Sequence, residues 1–357
     1  MKEGRAAGTL RVLVVDDSAV VRETLRELLS QEPGLEVETA SDPLVALPKM
    51  ARHPPDVVVL DLEMPRMDGL TFLRKLMAEQ PTPVVICSGH TGHGSEAALR
   101  ALREGAVEVI GKPRIGVREF LTESAVLLVD AVRGAARARV RRPPPAAPVR
   151  ALSMEGAARP VPRPSLGTLV GIGASTGGTE ALRFLLGALP ADAPAIAVVQ
   201  HMPAGFTEAF ARHLDRDCRL RVREARDGDP FEPGLALIAP GNRHLSVERT
   251  GSGYVARVLD GPLVSRHRPS VDVLFQSLVQ AAGAGAVAVL LTGMGSDGAE
   301  GMLTLKRAGA TTLAQDEATS VVFGMPKEAI NRGAVDQVLP LSAIPAAILQ
   351  ICRHSTV

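Results

Sequence analysis

The chain has 357 residues, with 40 Lys and Arg against 39 Asp and Glu and a formal net charge of +1; that length accommodates two domains, and that charge offers no basic face for nucleic acid. Hydrophobic residues make up 46% and charged residues 22%, which excludes wholesale disorder and leaves apolar side chain for two sizeable cores. With 3% aromatics and a single tyrosine, Tyr254, base-stacking platforms are excluded too, and the cores must be filled by Val, Leu, Ile and Ala.

From the N-terminus, Val12–Val15 gives way at once to Asp16 and Asp17, far short of a secretory apolar segment. No uninterrupted apolar run reaches the roughly 18 residues of a membrane-spanning helix. Cys87, Cys218 and Cys352 are odd in number and far apart, which fits a reducing compartment. A soluble, cytoplasmic protein without membrane insertion is expected.

Short β-branched runs then alternate with helical stretches: Arg11–Val15 and Ala19–Leu29, Leu35–Thr39 and Asp42–Met50, Val57–Leu60 and Leu70–Ala78, Val84–Cys87 and Glu96–Glu104, Val107–Ile110 and Val117–Val132. Five βα units predict an α/β domain over 9–130, a five-stranded, doubly wound parallel sheet. Pro48 inside the second helical stretch should kink that helix or end it early. The stretch Gly89–Gly94 reads as a flexible loop whose His90 and His93 are solvated rather than metal-ligating.

Ligands of such sheets gather at the carboxyl ends of the strands, where Asp16, Asp17 and Asp61 fall. Clustered carboxylates are costly unless a cation neutralises them, and an all-oxygen set suits Mg²⁺. Ser88 and Lys112 end the fourth and fifth strands and add a hydroxyl and an ammonium to the same crevice, a set able to hold a phosphoryl group. Taken singly, Asp16 and Asp17 could merely cap the first helix and Lys112 could be a surface charge; all five together favour chemistry. VLVVDDS, VVVLDLEMPRMDG, Ser88 and the Lys112–Pro113 pair resemble the receiver domain of response regulators. The resemblance implies Asp61 as phosphoacceptor, Mg²⁺ held by Asp17, Asp61, the backbone carbonyl of Glu63 and Asp16 directly or through water, and a histidine kinase as phosphodonor. Val109 stands where such domains usually carry an aromatic that changes rotamer on activation.

Residues 137–166 hold seven Pro and seven Arg with one acidic residue, Glu155. A linker over 131–167, biased to extended polyproline II, is expected. A second, larger α/β domain over 168–353 follows, with strands Thr168–Ile172, Ile196–Val199, Leu235–Ile238 and Ala286–Leu291; hairpin material around Ser246–Val258 suggests that its mainly parallel sheet is mixed.

Immediately after the first of these strands comes Gly173-Ala174-Ser175-Thr176-Gly177, ahead of a helix over Glu180–Leu186. A serine on a tight strand-to-helix turn is exposed for attack, and the helix N-terminus offers amides to an oxyanion. Gly171-x-Gly173-x-x-x-Gly177 also fits a loose dinucleotide-binding pattern, in which Ser175 would be a phosphate ligand or cap. A nucleophile needs a base and an orienting acid at neighbouring strand ends, and His201 in VVQHMP and Asp297 in LLTGMGSDGAEG are the candidates; singly they read as a hydrogen-bonded structural histidine and a helix cap, and jointly they favour chemistry.

IGASTGG, QHMPAGF, IAPGNRHL, RPSVDVLF, LLTGMGSDGAEG and QDEATSVVFGMP resemble the catalytic domain of the chemotaxis protein-glutamate methylesterases, and the receiver-linker-esterase order is that family's. The resemblance implies Ser175 as nucleophile, His201 as general base and then acid, and Asp297 as the residue that orients the imidazole; the amides of Thr176 and Met294 are the candidate oxyanion donors. His213, His244 and His267 lie outside an equivalent motif, and His244 is expected to pack a loop. The implied reaction is hydrolysis of glutamate 5-methyl esters on methyl-accepting chemotaxis receptors, with release of methanol, and deamidation of receptor glutamines, with no cofactor for the ester chemistry. A receiver-linked dinucleotide-dependent oxidoreductase and a non-catalytic receptor adaptor are the competing readings.

Overall fold

The computed structural model describes residues 8–89, 92–112, 118–138, 168–251 and 253–354. The N-terminal strands β1 (Leu10–Val15), β2 (Leu35–Ala40), β3 (Val57–Leu60), β4 (Val84–Ser88) and β5 (Glu108–Gly111) form one sheet in the order β2-β1-β3-β4-β5. Every pairing is parallel. Val57–Leu60 is buried at each position, as a central strand covered on both faces must be.

Five helices cover this sheet: α1 (Ala19–Ser30), α2 (Pro43–Arg52), α3 (Gly69–Glu79), α4 (Gly92–Arg103) and α5 (Arg118–Arg137). Ser18, Asp42 and Asp68 start the first three by accepting hydrogen bonds from the N–H groups of Val21, of Leu44 and Val45, and of Thr71.

Three expectations need correction. Helix α2 does not end early at Pro48 but runs on to Arg52; Pro48 lies on the exposed face, open to solvent, while Ala46 and Met50 hold the other face in the core. Helix α4 begins at Gly92, inside the stretch read as a loop, and its first turn is anchored where the Ser95 hydroxyl donates to the carbonyl of Gly205 at 3.0 Å. His90 lies outside the described residues. Helix α5 continues to Arg137, because Ala131, Val132 and Ala135 extend its buried stripe. The Pro/Arg-rich stretch beyond residue 138 lies outside the described residues.

The C-terminal sheet is built from β6 (Leu169–Ala174), β7 (Ala195–Gln200), β8 (Arg221–Glu224) and β9 (Leu235–Ile238), followed, after the hairpin β10 (His244–Thr250) and β11 (Gly253–Leu259), by β12 (Ala286–Leu290), β13 (Thr311–Gln315) and β14 (Gln337–Leu339). Its order is β14-β13-β12-β6-β7-β9-β8, and all its pairings are parallel. The hairpin stands apart as a two-stranded antiparallel sheet, so it does not make the large sheet mixed. Its buried face packs on α8 (Val271–Ala281), and an antiparallel pair can leave its other face to water. The remaining helices are α6 (Gly178–Ala188), α7 (Phe206–Asp217), α9 (Ala299–Arg307), α10 (Met325–Asn331) and α11 (Ile344–His354), with α6 and α7 on the side that meets α4. One contiguous apolar cluster spans both sheets through this contact, joining Leu99 and Leu102 to Phe210 and Leu214. None of the described helices is long and apolar enough to cross a membrane.

Chain order leaves β6 in opposite directions, toward β7 on one side and β12 on the other. The crevice at their carboxyl ends is where ligands of such sheets bind.

Candidate active site

Ser175 is the first residue after β6. Its N–H donates to the carbonyl of Thr292 at 3.0 Å, and its own carbonyl accepts from the N–H of Gly178 at 2.7 Å and from Gln200 Nε2 at 3.0 Å. The turn is therefore held on three sides. Two glycines make it possible. Gly177 has φ +76°, and a Cβ on Gly293 would lie 2.7 Å from the Cβ of Ser175, so only glycine lets the β12 loop approach the serine so closely.

His201 follows β7, its N–H bonded to the carbonyl of Ala174 at 3.1 Å. Its Nε2 lies 2.8 Å from Asp297 Oδ2. Asp297 is 1% exposed and sits at the N-terminus of α8, where it accepts from the Ser270 hydroxyl at 2.7 Å, from Val271 N–H at 2.7 Å and from Asp272 N–H at 3.0 Å. Burial would raise its pKa, but the hydrogen bond and charge of His201, with the N–H of Asp272 and the hydroxyl of Ser270, hold it at about 2. An ionised carboxylate can only accept, so Nε2 carries the proton and Nδ1 the lone pair. That is the reverse of the usage in the serine-protease triad. Nδ1 is buried and has no hydrogen-bond partner among the described residues, Ser175 included.

The N–H groups of Thr176 and Met294 likewise form no hydrogen bond among the described residues. Ser175, Thr176, His201 and Met294 all border one cavity of about 410 Å³.

The opposite wall belongs to the N-terminal domain, through Leu25, Leu28, Glu108, Leu127 and Leu128. The Thr176 hydroxyl donates to Glu108 Oε2 at 2.6 Å. Asp130 of α5 approaches Arg266 at 3.4 Å. A Cβ on Gly134 would come within 3.1 Å of the Thr176 hydroxyl and 3.4 Å of Met294 Sδ, so α5 sits directly on both candidate oxyanion residues.

His267, set aside on the sequence, is part of this site. Its ring stacks on that of His201 with centroids 3.8 Å apart and planes 9° from parallel. Burial first, then the nearby His201, push its pKa down to about 3, so it stays neutral while its Nδ1 faces the carbonyl of Ser265 at 2.7 Å. The available signal was its place three residues before Ser270, which begins the segment that cradles Asp297. Gln200 and Thr292, which brace the serine turn, were also missed. His244 packs a loop as expected, between the carbonyl of Pro262 and the N–H of Ser270. His213 lies on the surface beside Arg103 and Arg216.

At the carboxyl ends of the first sheet, Asp16 and Asp61 are each 1% exposed, and Asp17 is exposed. Lys112 Nζ reaches Asp16 Oδ2 at 2.9 Å and Asp61 Oδ2 at 2.7 Å. Apart from that ammonium, neither oxygen has a hydrogen-bond partner among the described residues. Burial raises the pKa of Asp61 against the pull of Lys112; burial opposes the Lys112 charge, but both carboxylates raise it to about 12. One oxygen from each of Asp16, Asp17 and Asp61 falls within 4.8 Å of the others, an all-oxygen set that fits a small divalent cation. Glu63 N–H donates to Asp61 Oδ1 at 3.2 Å, and Ser88 is buried at the end of β4, where its carbonyl accepts from the N–H of Lys112 at 2.9 Å.

The chain matches the family model of the CheB methylesterase over residues 170–348 and that of the response regulator receiver domain over residues 12–122. It is 60% identical to protein-glutamate methylesterase/protein-glutamine glutaminase 5 of Anaeromyxobacter dehalogenans, over 98% of this chain and 99% of that protein. Protein-glutamate methylesterase/protein-glutamine glutaminase 3 of Geobacter metallireducens is 52% identical, over 96% of this chain and 99% of its own length. The crystal structure of the Thermotoga maritima CheB methylesterase catalytic domain is similar at a TM-score of 0.51 and 40% identity, covering 52% of this chain and 98% of that one. The resemblance read from the motifs is thus borne out, and the chain belongs to the protein-glutamate methylesterase/protein-glutamine glutaminase family, with a response-regulator receiver domain and a CheB methylesterase domain.

Proposed function

We propose that this chain is a phosphorylation-regulated serine hydrolase that demethylates glutamate 5-methyl esters on methyl-accepting chemotaxis receptors and deamidates receptor glutamines. The observation that carries the reading is the Asp297–His201 pair beside Ser175 at one switch point, with two unengaged N–H groups at the rim. Once the serine hydroxyl meets His201 Nδ1, the imidazole takes its proton as Oγ bonds to the ester carbonyl carbon. The N–H groups of Thr176 and Met294 receive the oxyanion. Asp297 holds the imidazolium, which protonates the departing methoxide to methanol; water, deprotonated by His201, then cleaves the acyl-serine to glutamate. A glutamine follows the same route and releases ammonia.

In the receiver, Asp61 is the phosphoacceptor and a cytoplasmic histidine kinase the donor. Asp17, Asp61 and the carbonyl of Glu63, with Asp16 directly or through water, would hold Mg²⁺, which supplies charge neutralisation to the phosphoryl oxygens. Lys112 pairs with the same oxygens and Ser88 donates to the phosphoryl product. Phosphorylation adds a charge of about −1.5 to −2, enough to bias a two-state interface, and so loosens the receiver from the crevice. Val109, buried in β5, supplies no aromatic relay.

Methanol release from methylated receptor membranes tests the reading. Wild type should release methanol, faster with a small phosphodonor, and Ser175→Ala should release none under either condition. Equal release by both proteins would defeat it.

A further inference from the structure

Among the contacts between the domains, one joins a receiver glutamate to the residue after the nucleophile. Glu108 Oε2 accepts the Thr176 hydroxyl at 2.6 Å, and the carboxyl borders the cavity that Ser175 and His201 also border. Its surroundings distinguish it from an ordinary interface charge. Asp130, the other receiver carboxylate there, meets Arg266, whereas Glu108 forms no ion pair among the described residues. Gly134 eases the approach of α5 to the same hydroxyl, since a Cβ there would lie 3.1 Å from Thr176 Oγ1. A place that takes a carboxyl without a counter-cation suits neutral carboxyl derivatives, such as esters and amides. Burial pushes the Glu108 pKa up to about 7 against the Thr176 hydrogen bond, which brings its neutral form into reach.

We infer that Glu108 is an internal competitor for the Thr176 hydroxyl: in the closed chain its carboxyl holds that donor, and the Thr176 hydroxyl becomes the positioning donor for the glutamyl 5-carboxyl group when the receiver moves away. The inference rests on the esterase reading and deepens it. Closure then acts by competition for one donor as well as by obstruction, and the selection of glutamyl side chains is partly made by Thr176.

The test uses the full chain and methylated receptor membranes. Glu108→Ala should raise the unphosphorylated rate about two- to tenfold, the range for one hydrogen bond, and leave the phosphodonor-stimulated rate unchanged. Thr176→Val should raise KM for receptor ester more than it lowers kcat in the phosphodonor-treated enzyme, and Thr176→Ser should restore it. Glutarate, a free five-carbon carboxylate, should inhibit Glu108→Ala more strongly than unphosphorylated wild type. An unchanged basal rate in Glu108→Ala, an unchanged KM in Thr176→Val, or equal glutarate inhibition would each overturn the inference while leaving the esterase standing. A wild type that releases no methanol would remove both.

Discussion

The two domains use the same device, the carboxyl end of a parallel sheet, and furnish it in opposite ways. In the receiver two buried carboxylates, Asp16 and Asp61, share one ammonium beside exposed Asp17, and the oxygens that face the ammonium lack other donors among the described residues. In the esterase domain the single carboxylate of the site, Asp297, is saturated by two N–H groups, a hydroxyl and an imidazole. An under-satisfied cluster is built to gain a cation and a phosphoryl group; a saturated one is built to hold its charge fixed while a neighbour moves a proton. The first can therefore change state, and the second serves a reaction whose rate depends on not changing.

The largest effects should come from disturbing the fixed site. Ser175→Ala should cost several powers of ten in methanol release, and Asp297→Asn a factor of about 10⁴ through the wrong imidazole tautomer, with the fold preserved by circular dichroism. Equal rates for Asp297→Asn and wild type would remove the orienting role. Next, Asp61→Asn in the changeable site should abolish stimulation by phosphodonor and leave the basal rate intact.

A smaller effect follows from Glu108. Its pKa lies near 7 in the closed chain and returns toward the ordinary 4.5 once the receiver leaves. A raised carboxyl pKa favours closure fully below 4.5, and that advantage is lost as pH rises through 7. The ratio of unphosphorylated to phosphorylated rate should thus climb between these limits and level off above. Glu108→Gln should flatten the climb and lie below wild type at pH 8. Of the charged and titratable groups, His201 and Asp130 act on Glu108, while Arg266, His267 and Arg268 border the same cavity. Burial raises Asp130, despite Arg266, and so adds in the same direction, while His267 stays neutral throughout. The smallest effect belongs to Arg266→Ala, which removes a half-exposed pair with Asp130 worth less than about 1 kcal/mol and should raise the basal rate by less than about fivefold.

The strands and their carboxyl ends were legible because period and β-branched runs locate them, and that placement made Asp16, Asp61, Ser175 and His201 candidates, with the roles of Ser175 and His201 drawn from the family resemblance. Ring stacking was not: His267 reaches His201 through a loop whose path depends on the tertiary fold. Nor was Glu108, whose neighbours lie across the domain boundary. Pro48 misled because a lost hydrogen bond matters only where water cannot replace it, and burial, not composition, decides that. The hairpin misled for a related reason, since antiparallel material need not join the sheet it follows.

The central claim joins a nucleophile at Ser175 to a cover formed by the receiver. Labelling of the full chain with a fluorophosphonate, located by peptide mass spectrometry, measures both. The adduct should form on Ser175, faster with phosphodonor than without, and not at all in Ser175→Ala. Labelling at another residue, or at a rate indifferent to phosphodonor, would contradict the account.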